Sequence, residues 1–231
     1  KKKKNIRKKR KLIGIKLINL IRVGDIMKKL LLRGIITAGL FLIFVLLLPA
    51  AAAAEEEGII KAKTAEQIIK KKSEKVIRLI ASRNFKELAD YVHPEKGLRF
   101  TPYTHIRIEK DVNFTKEQVS NFFDSNKKYL WGYYDGSGKE IRLTPKEYYH
   151  QFIYTNNFIN AEKIGYNEIL SSGNMVENQF EVYENPIIVE YYFSGFKAKF
   201  GGMDWQSLRL VFEKYQGDWK LSGIIHNQWT I

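Results

Sequence analysis

Past residue 63 the chain switches repeatedly between helical and strand periodicity. Ile68, Ile69, Val76, Ile77 and Ile80 recur at helical spacing behind Thr64-Ala65-Glu66-Gln67, a capping-box sequence that predicts a helix start there. Residues 82–84 interrupt this helix. Phe85, Leu88, Ala89 and Val92 then share the face of a second one, ended at His93-Pro94 because the residue before proline avoids the helical region. Gly97 leads into a strand over 98–103. Thr115-Lys116-Glu117-Gln118 caps a short helix bearing Val119, Phe122 and Phe123. Residues 129–134 and 139–143 flank Asp135-Gly136-Ser137-Gly138 and read as a hairpin. Thr144-Pro145-Lys146-Glu147 is the strongest local signal, an N-cap with proline at the first helical position and glutamate three residues on. Its helix carries Tyr148, Tyr149, Phe152 and Ile153.

From there the pattern is β-rich, with strands expected over 164–170, 187–193, 207–215 and 219–231. In the last two, Leu208, Leu210 and Phe212, then Trp219, Leu221 and Ile225, alternate with polar neighbours, as in an antiparallel sheet with one buried face. By that parity Lys220, Ser222 and His226 point away from the core, unless a bulge resets the register. The fold class expected is α+β: N-terminal helices packed on a curved, mainly antiparallel sheet, cone-like in shape, as a single domain over 64–231 behind a charged linker at 55–63.

The N-terminal pattern is of another kind. Met27, Lys28, Lys29 and Arg33 precede the uncharged run 34–48, and Pro49 with five alanines follows. A positive start, an apolar centre and a small-residue cleavage region make a signal peptide over 27–54, so the expected location is secreted or on the extracytoplasmic face of the membrane. The 21 uncharged residues 34–54 also suffice for an uncleaved anchor. Residues 1–26 read as translated upstream sequence before a start at Met27, with a basic cytosolic arm as the rival reading.

Charge changes the picture once it is divided. The formal +14 suggests nucleic acid, but residues 1–54 hold 14 of the 39 Lys and Arg and only one of the 25 acids, Asp25. The remaining 177 residues, with 25 bases and 24 acids, lack the basic excess a phosphate-tracking surface needs. Cysteine is absent, which removes disulfides, thiol chemistry and a lipoprotein anchor.

Candidate chemistry is sparse. The four histidines, at 93, 105, 150 and 226, show no metal-ligand spacing, and glycine-rich phosphate loops and a GxSxG elbow are missing, so no metal or cofactor is expected. His226, as a general base on the last strand, His93, at a helix end that favours its cation, and Asp204 are the candidate catalytic groups. The candidate binding residues are Trp131, Tyr133, Asp135, Asp204 and Trp205. Aromatics supply contact area at low entropic cost, and Asp204-Trp205 closes a glycine-rich loop. Most other aromatic side chains are expected to fill the core.

The order helix, helix, strand, strand, helix and four antiparallel strands, with Val92-His93-Pro94-Glu95-Lys96-Gly97 and the strand-Gly-Asp-Trp-strand ending of 209–231, resembles the cone-shaped domain of nuclear transport factor 2-like and ketosteroid-isomerase-like proteins. Residues 106–138 would be an insertion after the first strand. Gly201-Gly202-Met203-Asp204-Trp205 and Trp131-Gly132-Tyr133-Tyr134-Asp135-Gly136 resemble uncharacterised exported proteins of Gram-positive bacteria. The cone fold hosts isomerases, dehydratases, carriers and interaction modules, so the likeness implies a fold and no activity. The expected function is an exported, non-catalytic binding domain for a small ligand, glycan or protein at the cell surface, with the membrane involved only through the leader and a homodimer compatible with the architecture. The alternative is a small-molecule isomerase, dehydratase or hydrolase with a polar pocket inside the cone.

Overall fold

The computed structural model describes residues 58–171 and 173–230; the readings of 1–26 and of the leader at 27–54 lie outside them. Helix α1 spans Ala62–Ala81, starting upstream of Thr64 because Ala62 and Lys63 continue the helix and Ala65 N–H reaches the Lys61 carbonyl at 2.9 Å. Its buried stripe is Ala65, Ile69, Ser73, Val76, Ile77 and Ile80, while Ile68 is exposed. Among the described residues no helix is long and apolar enough to cross a membrane.

The remaining helices are short: α2 (Phe85–Leu88), α3 (Lys116–Ser120), α4 (Pro145–Tyr148), which runs on as a π-turn over Tyr149–Ile153, and α5 (Gln179–Val182). Thr115 and Thr144 cap as the sequence predicts, each with a full capping box, and Asn84 caps α2 by accepting from Glu87 N–H. Tyr149 Oη donates to the Ile80 carbonyl at 2.9 Å, an end group of α1 that also accepts the Arg83 N–H at 3.0 Å.

The strands are β1 (Leu98–Thr101), β2 (Val112–Phe114), β3 (Tyr129–Tyr133), β4 (Glu140–Leu143), β5 (Lys163–Tyr166), β6 (Ile187–Phe193), β7 (Gln206–Tyr215) and β8 (Asp218–Gln228). Six form one sheet in the order β2-β1-β8-β7-β6-β5, antiparallel except where β1 runs parallel to β8. The chain is thus α+β with a mainly antiparallel sheet. β3 and β4 form a separate hairpin. Strand β2 lies inside the stretch read as an insertion, and β1 ends one residue before Pro102.

One side of the sheet presents Phe100, Val189, Tyr191, Leu208, Leu210, Phe212, Leu221 and Ile224 to a core shared with α1, Phe122 and the aromatic side chains of β3 and α4. A smaller cluster, Ile106, Tyr183, Ile188, Val211 and Ile225, lies on the other side. Ile225 therefore does not join Leu221, contrary to simple alternation. The pairing of β7 with β8 shifts between Val211, opposite Gly223, and Phe212, opposite Leu221, so Ser222 is an extra residue that resets the parity.

Candidate functional site

That bulge decides where His226 goes. It stands opposite Leu208 on the main-core side, fully buried, with its ring edge-on to Phe152 at 5.7 Å. Burial lowers its pKa to about 4, so the ring is neutral near pH 7. Nε2 lies 3.2 Å from Gln228 Oε1, and Nδ1 has no hydrogen-bond partner. The outward orientation expected for His226 is overturned, yet its polar contact is an amide, not the carboxylate a general-base pair needs.

His93 also departs from expectation. It is buried against Tyr215, and its Nδ1 accepts hydrogen bonds from the backbone N–H of Lys96 at 3.0 Å and of Glu95 at 3.3 Å. A nitrogen that accepts carries no proton, and burial lowers the pKa, so His93 is a neutral brace for the 93–97 turn rather than a cation at a helix end. His105 and His150 are exposed. Among the described residues no group of three His, Asp or Glu converges to hold a metal.

The aromatic candidates separate at a second bulge. Between Leu130, opposite Arg142, and Gly132, opposite Ile141, the β3–β4 register shifts around Trp131. Trp131 is wholly buried, stacked on Tyr148 at 3.7 Å, and its indole N–H donates to the Leu143 carbonyl at 2.9 Å. Trp131 is therefore a core residue and offers no binding surface. Tyr133, two residues on, is 45 % exposed. Asp135 is exposed in the hairpin turn, its N–H donating to Tyr103 Oη at 3.3 Å. Asp204 closes its own loop by accepting from Lys197 N–H at 2.9 Å, and Trp205 is buried beside Tyr192.

Tyr133 opens onto a cavity of about 270 Å³ that it shares with Arg107, Lys110, Leu130 and Gly132. Gly132 permits this layout: a Cβ there would sit 3.0 Å from Arg107 Nη2 and 3.1 Å from Pro102 Cγ. Asp111 anchors Arg107, with its carboxylate 3.6 Å from Nε and accepting the Arg107 backbone N–H at 2.7 Å. Burial raises the pKa of this carboxyl while the Arg107 contacts oppose that shift. The groove thus combines two cations, an exposed phenol ring and an apolar wall. Of its lining residues only Tyr133 was foreseen; Arg107 and Lys110 carried no signal, because β2 had not been recognised and nothing brought 107–110 beside the hairpin.

A second polar assembly occupies the far face of the sheet. Arg209 and Glu190 are both buried, in ion-pair contact at 3.2 Å, and Arg209 reaches Glu177 with both terminal nitrogens. Ser171 Oγ meets Glu190, Ser207, Arg209 and Asn227. These groups pair with one another beneath the segments 168–171 and 173–178, with Arg209 Nε left to the ion-pair contact with Glu190 alone.

No protein-family model matches the chain, and no curated protein or solved structure is significantly similar to it.

Proposed function

We propose that the chain is an exported, non-catalytic binding domain of the cone-like, nuclear transport factor 2-like kind, and that its ligand-binding surface is the Arg107–Lys110–Tyr133 groove. The observation that carries this reading is the division of chemistry. The interior beside the helices is filled by rings, with Phe100 touching Phe122, Trp131 and Tyr148, and Trp131 stacked on Tyr148. Two cations, Arg107 and Lys110, stand together at the groove beside an exposed ring. The strand order, with β1 parallel to β8 and the long helix α1 packed on one side, supports the cone-like shape.

The ligand chemistry that suits the groove is an acidic glycan. A sugar ring stacks on Tyr133, and its carboxylate pairs with Arg107 and Lys110. The test is an NMR titration with a hexuronic-acid oligosaccharide. We expect shifts centred on residues 107–110 and 130–133 that Tyr133→Ala and Lys110→Ala abolish. Shifts elsewhere, or none, would sink the assignment.

One observation favours the enzymatic alternative. The unpartnered Nδ1 of His226 is a buried, neutral base awaiting a proton donor. Under that reading Phe152 must move to admit a substrate.

A further inference from the structure

The loop joining β6 to β7 is glycine-punctuated, and Asp204-Trp205 at its end turns inward. At its tip Phe196, Phe200 and Met203 are exposed by 47 %, 38 % and 55 %. Three large apolar side chains within eight residues form a patch, unlike the scattered exposed apolar residues every protein has. Lys197 and Lys199 alternate with them and place their ammonium groups over the Phe200 ring at 5.8 and 4.8 Å. Neither lysine makes an ion pair among the described residues. No acid occurs between Phe196 and Met203.

The acids nearby are engaged at the base of the loop. Glu162 accepts from Ser194 N–H at 3.0 Å and from its hydroxyl at 2.7 Å, and Asp204 accepts from Lys197 N–H. The Phe196 ring is braced by Phe193 at 5.5 Å, which packs on Phe158 at 5.8 Å in the core. The tip is therefore held in place, apolar at its end and cationic around it.

We infer that this loop docks on the surface of an anionic lipid bilayer, with Phe196, Phe200 and Met203 entering the interface and Lys197 and Lys199 contacting the headgroups. The complementarity is specific to that partner. An acidic protein groove would need only the lysines and an apolar one only the rings, whereas a bilayer edge presents anionic charge directly above hydrocarbon. This gives the membrane a contact with the folded domain in addition to any made by the leader, and it does not depend on the glycan groove.

The absence of cysteine permits a direct test in the full chain, where the apolar leader contributes equally to every variant. An environment-sensitive dye is placed at Met203→Cys, or at Lys139→Cys in the distant β3–β4 turn, and the protein is mixed with phosphatidylcholine vesicles with or without phosphatidylserine. We expect a blue shift, and quenching by nitroxide-labelled lipid, at 203 but not at 139, and only with phosphatidylserine present. Lys197→Gln with Lys199→Gln should lower the ratio of quenched to unquenched dye about 25-fold, at about fivefold per charge. Three results would overturn the inference: equal quenching at both positions, a response at 203 indifferent to phosphatidylserine, and a blue shift at 203 that follows protein concentration without lipid. The last would assign the patch to a second copy of the chain.

Discussion

On the helical side of the sheet, Phe100, Tyr191, Leu208, Leu210 and Phe212 are buried against α1 and a cluster of aromatic side chains; on the opposite side, Glu190, Arg209, Ser207 and Asn227 are buried just as deeply. The first surface needs only volume and shape, since dispersion and water exclusion are non-directional. The second needs a partner for each charge and hydroxyl, supplied from residues far away in sequence: Ser171, Glu177 and Thr104. One sheet therefore tolerates repacking on one side and should be intolerant of single deletions on the other. A buried ion pair adds little net stability, but removing one member strands the other in a medium that solvates it poorly.

The sharpest way to break this contrast is Arg209→Ala. It leaves Glu190 buried without its counter-charge, and we expect a loss of about 3–5 kcal/mol in denaturant unfolding. Adding Glu190→Ala should return more than 1 kcal/mol of that loss, the coupling expected of residues in one network. Additive losses would show that the cover over Arg209 and Glu190 admits water and that the two charges are solvated independently.

The apolar side carries one polar exception, and it gives the next largest effect. His226 is neutral in the folded protein because burial holds its pKa near 4, while the unfolded chain titrates near 6.5. The unfolded state therefore binds the proton first as pH falls. The stabilisation is complete above about pH 6.5 and is lost progressively toward pH 4, on the order of 3 kcal/mol in total. His226→Leu keeps the volume and removes the titration, so its stability curve over that range should be flatter than that of the parent chain. Parallel curves would mean that His226 is accessible to water in the folded state.

How much of this was legible in the sequence follows from how local each signal is. The caps at Thr115 and Thr144 involve groups within three residues of one another and stand where predicted, whereas the box expected at Thr64 is bypassed by a helix that starts at Ala62. The hairpin at Asp135–Gly138 and the antiparallel pairing of β6, β7 and β8 were equally readable, because turn residues and period-two alternation are written in adjacent positions. Strand β2 was not, since Val112–Phe114 is too short for alternation to register. The site residues failed for a different reason. Trp131 and Tyr133 share a parity in sequence, and so do Leu221 and Ile225; in both pairs one residue is buried on the main-core side and its mate is not. A bulge of one residue inverts every inference downstream of it, and its local sign is only the glycine that follows, Gly132 after Trp131 and Gly223 after Ser222. The groove cations and the buried Arg209 network depend on residues 104–111 and on Ser171 and Glu177 reaching distant strands, which no local pattern encodes.

The smallest predicted effect bears on that inversion directly. Gly223 follows the extra residue Ser222, where β8 changes which residues it gives to each side. The glycine is there because Tyr183 lies across it: a Cβ would come within 2.9 Å of Tyr183 Cζ and closer still to its hydroxyl. Tyr183 is itself buried, and its Oη has no hydrogen-bond partner, so Tyr183→Phe alone should cost little. Gly223→Ala should cost about 1–3 kcal/mol, the usual penalty for overfilling a packed site. In the Tyr183→Phe background the same change should cost measurably less, because the atom met first is gone while the ring carbon remains. An unchanged penalty would place the strain in the backbone of the bulge itself, and the crossover between the two faces would then rest on the conformation of residues 222–223 rather than on the ring that covers them.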